Sequence, residues 1–324
     1  MVRVLYAGSP LASARTLEIL IERAGQNGFE IAGVLTNPPS ARGRHKTLVP
    51  TEVQDTAEKY GIPVFVPEHL DSDAREAVAA VKPDILVCFA YGHIFGPKFM
   101  ELFKFGGINL HPSALPKYRG CTPVNAAILN GDKETAFTIQ KVSRAMDEGN
   151  ILVSEKVLLN GMETAESLLN DAAVRGAELF CPILKDISLR GNIAEGIPQT
   201  GEASYTGMIS KEDAKLDWSK SSAEIDCAVR AYYPDPNSWT VENGTPLKIM
   251  AGISFSDEEG VSLGGDPNAE PGMVTFFSKQ KGILVRCGRG FYGITKLQRQ
   301  GKNAMDYKSF MNGAKDFIGT KFSF

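Results

Sequence analysis

Short apolar runs and segments of helical periodicity alternate through the first third of the chain, and this alternation limits its possible folds more than any other feature. VRVLYA (2–7) precedes a stretch with Leu17, Leu20 and Ile21 on one helical face. IAGVLTN (31–37) precedes TEVQDTAEKYG (51–61), where Thr51 is a natural N-cap and Gly61 a natural stop. IPVFVP (62–67) precedes DSDAREAVAAVK (71–82), which opens on a capping Asp. DILVCFAYG (84–92) is apolar throughout, as a strand buried on both faces must be. INLH (108–111), TAFTIQKV (135–142) and NILVSEKVLL (150–159) continue the series, and a long helix is expected over 164–189. Strands separated by helices predict an α/β fold with a doubly wound, mostly parallel sheet.

The pattern changes after residue 189. RGNIAEGIPQTGEASYTGMIS (190–210) is rich in Gly, Pro, Ser and Thr, has no periodicity and reads as a linker. One amphipathic helix, SAEIDCAVRAYY, then precedes short strands at SWTVE, PLKIMAGIS, GMVTFF, GILVRC and FYGITKLQ. Short strands this closely spaced predict a small β-barrel of the OB-like kind. The expected division is a catalytic domain over 1–189, a linker over 190–206 and a C-terminal barrel over 207–324.

The five cysteines are scattered, and none forms a C-x-x-C pair, which suits reduced thiols in the cytoplasm. No apolar run approaches a membrane span and no targeting segment is evident, so a soluble cytoplasmic protein is expected, acting as a monomer without membrane contact. His45, His69, His93 and His111 are not at metal-ligand spacing, and no metal is expected. The AGSPLASA turn (7–14) lacks the further glycines of a dinucleotide loop and reads as a tight turn. Charge is distributed unevenly. Residues 271–324 hold ten Lys or Arg and two Asp, a balance of +8 in a chain whose net charge is -3. A basic segment on an acidic body suits a polyanionic partner, and it equally suits a solvated lysine-rich surface.

The chemistry concentrates at INLHPSALPKYRG (108–120). Asn109 and His111 are two residues apart, so they share one face of their strand. The strand's C-terminal end is where open α/β sheets hold ligands. An amide and an imidazole side by side can donate to a carbonyl oxygen that gains charge during acyl transfer. Asp147, in the glycine-flanked loop RAMDEGNIL, supplies a carboxylate that would raise the His111 pKa and favour its charged form. The rival reading is a satisfied polar strand end.

INLHPSALPKYRGCTPVNAAILNGD, TIQKVSRAMDEGNIL and VCFAYG together resemble the 10-formyltetrahydrofolate-dependent formyltransferases. The resemblance implies a Rossmann-like core and formyl transfer with 10-formyltetrahydrofolate as co-substrate. It assigns catalysis to Asn109, His111 and Asp147, and a folate wall to Ser113, Ala114, Leu115 and Pro116. Ala114 stands where the family usually has Leu. The backbone of Phe89, Ala90, Tyr91 and Gly92 corresponds to the segment that meets the pterin ring. LTNPPSARGRHKTLVPTEV (35–53) and the junction at 204–239 are similar to the branch whose acceptor is initiator Met-tRNA. That branch implies tRNA contacts by Arg42, Arg44 and Lys46, with either Arg42 or Arg44 meeting the acceptor end. It also points to Lys279, Lys281, Arg286 and Arg289 for the tRNA body. A branch acting on a nucleotide-linked amino sugar shares the core motif and a C-terminal barrel but has no need of the basic loop. The shorter glycinamide branch lacks a second domain. Intact Asn109, His111 and Asp147 argue against a catalytically inert RNA-binding module.

Overall fold

The computed structural model describes residues 1–42, 47–314 and 316–323, with Arg42 described by its backbone alone. Two compact units are present. The first comprises Met1–Pro123, Glu134–Leu158 and Leu168–Gly207; the second comprises Val124–Lys133, Leu159–Ser167 and Met208–Phe324.

The first unit begins with β1 (Val2–Gly8), α1 (Leu11–Arg23), β2 (Phe29–Leu35), β3 (Ser40–Arg42), β4 (Thr47–Val49) and α2 (Glu52–Lys59). Then follow β5 (Val64–Phe65), α3 (Ser72–Ala80), β6 (Ile85–Phe89), α4 (Pro97–Met100), β7 (Gly107–His111) and β8 (Arg119–Gly120). After α5 (Pro123–Leu129) come β9 (Glu134–Lys141), β10 (Ile151–Leu158), α6 (Ala165–Arg190) and β11 (Tyr205–Thr206). The main sheet has seven strands in the order β10-β9-β7-β6-β1-β2-β5. The pairs among β5, β2, β1, β6 and β7 are parallel, whereas β9 runs antiparallel to its neighbours β7 and β10. This is the expected doubly wound fold with an antiparallel edge.

Local signals explain the helix starts. The Thr51 hydroxyl accepts from the Gln54 amide and the Asp71 carboxylate from the Ala74 amide. One sheet face is packed by Leu5, Ala7, Leu35, Leu86 and Cys88 against Val78 of α3 and the aromatic series Tyr91, Phe95, Phe99 and Phe103. Burying each Leu- or Phe-sized side chain contributes about 1.5–3 kcal/mol. On β7, Leu110 points to the opposite face, where α6 approaches closely. A Cβ on Gly176 would lie 2.2 Å from the Leu110 side chain. Asn109 and His111 therefore project from the other face of β7, at the strand end.

The chain runs outward from β1 to β2 and β5 on one side, then returns to β6 on the other side of β1. The switch point lies between Gly8 and Phe89, where ligands bind in such sheets. A Cβ on Gly8 would meet the Ser13 hydroxyl at 1.8 Å and the Phe89 carbonyl at 2.6 Å, so this glycine serves close packing.

The sequence predicts a loop over 38–48. Its described residues instead form the hairpin β3–β4, with Arg42 opposite Thr47. Gly43, Arg44, His45 and Lys46 lie outside the described residues. The second departure is in the expected linker. Tyr205 and Thr206 pair in parallel with Arg119 and Gly120, and Ile197 exchanges backbone bonds of 2.8 Å with Ile151. A stretch without periodicity can still be held by long-range pairing, which periodicity does not report.

The second unit has α7 (Ser222–Ala231), β12 (Ser238–Glu242), β13 (Thr245–Phe255), α8 (Asp257–Ser262), β14 (Val274–Ser278), β15 (Gly282–Arg286), β16 (Phe291–Arg299), β17 (Met305–Asp306) and α9 (Tyr307–Gly313). Its strands run β12-β13-β16-β15-β14, all antiparallel, with β17 on β16. A capping box of Ser221 and Glu224 starts α7. The C-terminal segment bonds to both sheet edges. The Val274 amide donates to Thr320 on one side, and the Ser323 amide donates to Val241 on the other. This closes the sheet into the expected barrel. Trp218, Leu247, Ile249, Val285, Tyr292, Ile294, Phe317 and Phe322 fill it.

Candidate active site

Asn109 is the central residue of β7, opposite Cys88 on β6 and Gln140 on β9. It is half-buried, and among the described residues its side-chain amide has no protein partner. His111 ends the strand at 4% exposure. Its Nε2 lies 2.8 Å from the Tyr118 carbonyl, which can only accept, so Nε2 carries a proton. Its Nδ1 lies 3.5 Å from Asp147 Oδ1.

The intervening loop makes this possible. The Ser113 hydroxyl donates to the Lys117 carbonyl at 2.6 Å and closes a tight turn that contains the cis Leu115–Pro116 bond. Tyr118 follows with φ of 58°, which returns its carbonyl to His111. The prolines therefore end the strand and bring its own continuation back onto the imidazole.

Asp147 also has a left-handed backbone, with φ of 55°. Gly149 lets the loop cross β9 closely, because a Cβ there would lie 1.8 Å from the Lys141 carbonyl. The Asp147 carboxylate accepts from the Gln140 side chain at 2.7 Å and from the Gly120 amide at 2.8 Å. Its charge is thus already shared when it faces His111. Enclosure of the ring lowers the His111 pKa from its ordinary 6.5, and Asp147 offsets that only in part. Burial thus works against the charged form that the Asp147 carboxylate favours.

The segments expected to meet folate divide into exposed and buried parts. Phe89 and Tyr91 are buried, and the Tyr91 ring stacks on Phe95. Ala90 and Gly92 are exposed with left-handed φ of 53° and 87°, so this strand end presents backbone to solvent. Ala114 is exposed, Pro116 half-exposed and Leu115 buried. Ser113 is wholly buried and its hydroxyl is committed to Lys117, so it supports the wall from behind and offers a ligand no polar atom. Among the described residues no His, Cys, Asp and Glu cluster could hold a metal.

The basic residues expected to meet tRNA are described only in part. Arg44 and Lys46, with the Arg42 side chain, lie outside what is described. Lys279 and Lys281 are exposed at the turn before β15, whereas Arg289 is exposed at the turn after it. Arg286 is not free for phosphate: it pairs with Asp257, donates to the Gly290 carbonyl and covers the Phe291 ring. Among the described residues no helix is long and apolar enough to cross a membrane.

Sequence reasoning missed Gln140, Gln199 and Arg119. Gln140 was detectable as a polar residue inside TAFTIQKV, on the alternating face of Thr138. Gln199 had no signal, since it lies in the aperiodic stretch. Its amide nitrogen donates to the carbonyls of Asp147 at 2.7 Å and Gly149 at 2.9 Å. Arg119 donates to Gln199 Oε1 from both Nε and Nη2.

Comparison with known proteins shows the family. Residues 2–183 match the formyl transferase model, and residues 208–315 match the model of the formyl transferase C-terminal domain. A methionyl-tRNA formyltransferase of Treponema denticola is 37% identical over 98% of both chains. One from Agathobacter rectalis is 34% identical over 99% of both. The N-formyltransferase of Helicobacter canadensis, solved with folinic acid and dTDP-3-aminofucose, superposes with a TM-score of 0.62 at 21% identity, covering 92% of this chain and 100% of its own. With both parts matched and full-length relatives above 30% identity, the chain belongs to the formyl transferase family, alongside its methionyl-tRNA formyltransferases.

Proposed function

We propose that this protein transfers the formyl group of 10-formyltetrahydrofolate to the α-amine of methionine on initiator tRNA, for translation initiation, as a cytoplasmic monomer. In this reading residues 1–189 carry the chemistry and 207–324 hold the tRNA. The observation that carries the chemical part is the unpartnered Asn109 amide beside His111, which is backed by Asp147.

Asn109 would donate its amide hydrogen to the formyl oxygen as the methionine nitrogen adds to the formyl carbon and the carbonyl electron pair moves onto oxygen. The amine proton would pass to the His111–Asp147 pair, directly or through a water, and return from it to the leaving nitrogen. The oxyanion collapses, the carbon bond to N10 of the folate breaks, and N10 receives the proton. The exposed backbone of Ala90 and Gly92 and the loop surface at Ala114 and Pro116 suit a flat pterin ring, with peptide groups for its hydrogen-bonding edge. Asn109 lies beside them, at the end of the neighbouring strand.

The hairpin β3–β4 follows β2, so it leaves the same rim of the parallel sheet as Phe89 and His111. Arg42, Arg44 and Lys46, from the same stretch of sequence, would meet the acceptor end, with Lys279, Lys281 and Arg289 contributing to the tRNA body. An amino-sugar nucleotide would need no such hairpin. The deciding experiment incubates the protein with 10-formyltetrahydrofolate and either charged initiator tRNA or dTDP-3-aminofucose. Formylmethionine is expected from the first and no product from the second, and the reverse would transfer the assignment to the sugar.

A further inference from the structure

We propose that Gln199 is a positioning residue for the reaction, and that the strap 197–206 is the back wall of the active site, holding Asp147 aimed at His111. The proposal rests on the catalytic assignment of His111 and Asp147 above.

The Asp147 backbone is left-handed, a conformation that an L residue with a side chain adopts only when its surroundings impose it. Its own loop does little to impose it. Within the turn, the Glu148 amide reaches the Ala145 carbonyl only at 3.4 Å. The Gln199 amide nitrogen instead gathers both flanking carbonyls, of Asp147 at 2.7 Å and of Gly149 at 2.9 Å. It also lies 3.3 Å from Gln140 Oε1, whose own amide donates to the Asp147 carboxylate. The Gln199 oxygen is fixed in turn by Arg119, which donates from Nε at 3.1 Å and Nη2 at 2.8 Å. Arg119 Nη1 continues to Glu148 at 2.9 Å and to the Tyr205 hydroxyl at 2.7 Å.

The same strap supports the other half of the pair. The Ser204 hydroxyl accepts from the Tyr118 amide at 2.9 Å, and the Arg119 amide donates to the Ser204 carbonyl at 2.8 Å. Tyr118 supplies the carbonyl that fixes His111, and Gly120 supplies the amide that holds Asp147 Oδ2. One segment thus governs both the imidazole and the carboxylate. A displacement of about 1 Å in such a pair can cost on the order of 100-fold in rate.

The test uses the full-length chain with Gln199→Ala and Gln199→Glu. The Glu variant keeps the acceptor for Arg119 but has no hydrogen to donate to the two carbonyls. Both variants are expected to lower kcat by about 10–100-fold with folate KM within about threefold. The second readout is NMR titration of His111 without any substrate, which is independent of the acceptor's identity. The charged or titratable groups around the pair are Asp147, Cys88, Arg119 and Glu148. Both variants should move the His111 midpoint downward, in the direction of Asp147→Asn, because the carboxylate drifts from the ring. A lower melting temperature with wild-type kcat and an unmoved His111 midpoint would overturn the proposal and leave Gln199 merely structural. Failure of wild-type protein to formylate Met-tRNA would instead refute the acceptor assignment, and the titration would still judge the clamp.

Discussion

Whether His111 starts the reaction neutral or charged decides what each partner can do. Nε2 is fixed by the Tyr118 carbonyl, so the proton that comes and goes resides on Nδ1, facing Asp147. Burial holds the His111 pKa below 6.5. In the proposed reaction the deprotonated pair takes the amine proton, so activity should hold as pH falls to about 6.5 and decline only below it. A catalyst needing charged His111 would gain activity over that same fall. The pH dependence of kcat/KM, with the amine's own titration measured separately, distinguishes the two. Asp147 raises the His111 pKa against the effect of burial. Asp147→Asn should therefore lower the NMR midpoint of His111 and reduce kcat severely, and an unmoved midpoint would show that the two are not coupled. Gly149→Ala should abolish activity in otherwise folded protein, because its Cβ would strike the Lys141 carbonyl at 1.8 Å and dislodge the loop.

The strand elements were largely legible in the sequence, for a physical reason. Continuous apolar runs must be buried on both faces, and SWTVE became β12 without change of bounds because both its composition and its flanking turns agree. The hairpin β3–β4 was not legible, since SAR and TLV carry no apolar alternation and, among the described residues, pair with each other alone. The strap was not legible either, because Gln199 is held by partners up to 80 residues away, as its bond with Arg119 is. The same holds for Arg286, whose partner Asp257 removes it from the basic surface. The shared face of Asn109 and His111 was legible through their spacing on β7, but the enclosure of His111 was not, since it depends on the loop that returns at Tyr118. Barrel closure yields a prediction of its own. Phe322 is 1% exposed and packs beside Trp218 and Phe317. Phe322→Ala should destabilise the barrel by about 3–5 kcal/mol. Denaturant unfolding measures this, and a change below about 1 kcal/mol would mean that the C-terminal segment does not close it.

Across the whole molecule the question is how a small formyl-transfer site meets a large polyanion. In the second unit the basic charges fall at opposite ends of β15, with Lys279 and Lys281 before it and Arg289 after it. Each phosphate contact adds about 0.7–0.9 to the salt slope of binding. Lys279→Ala with Lys281→Ala should therefore lower that slope by about one unit or more and weaken initiator and other tRNAs alike. Arg286→Ala should act chiefly on stability, through Asp257. Arg42→Ala with Arg44→Ala should impair use of Met-tRNA while leaving folate KM nearly unchanged. The central claim, that Asn109 stabilises charge as formyl passes to methionine on initiator tRNA, is tested most directly by the single-turnover rate of that transfer in wild-type protein and Asn109→Ala. A rate lowered by about 100–1000-fold with unchanged folate affinity is predicted, and an equal rate in the two proteins would contradict it.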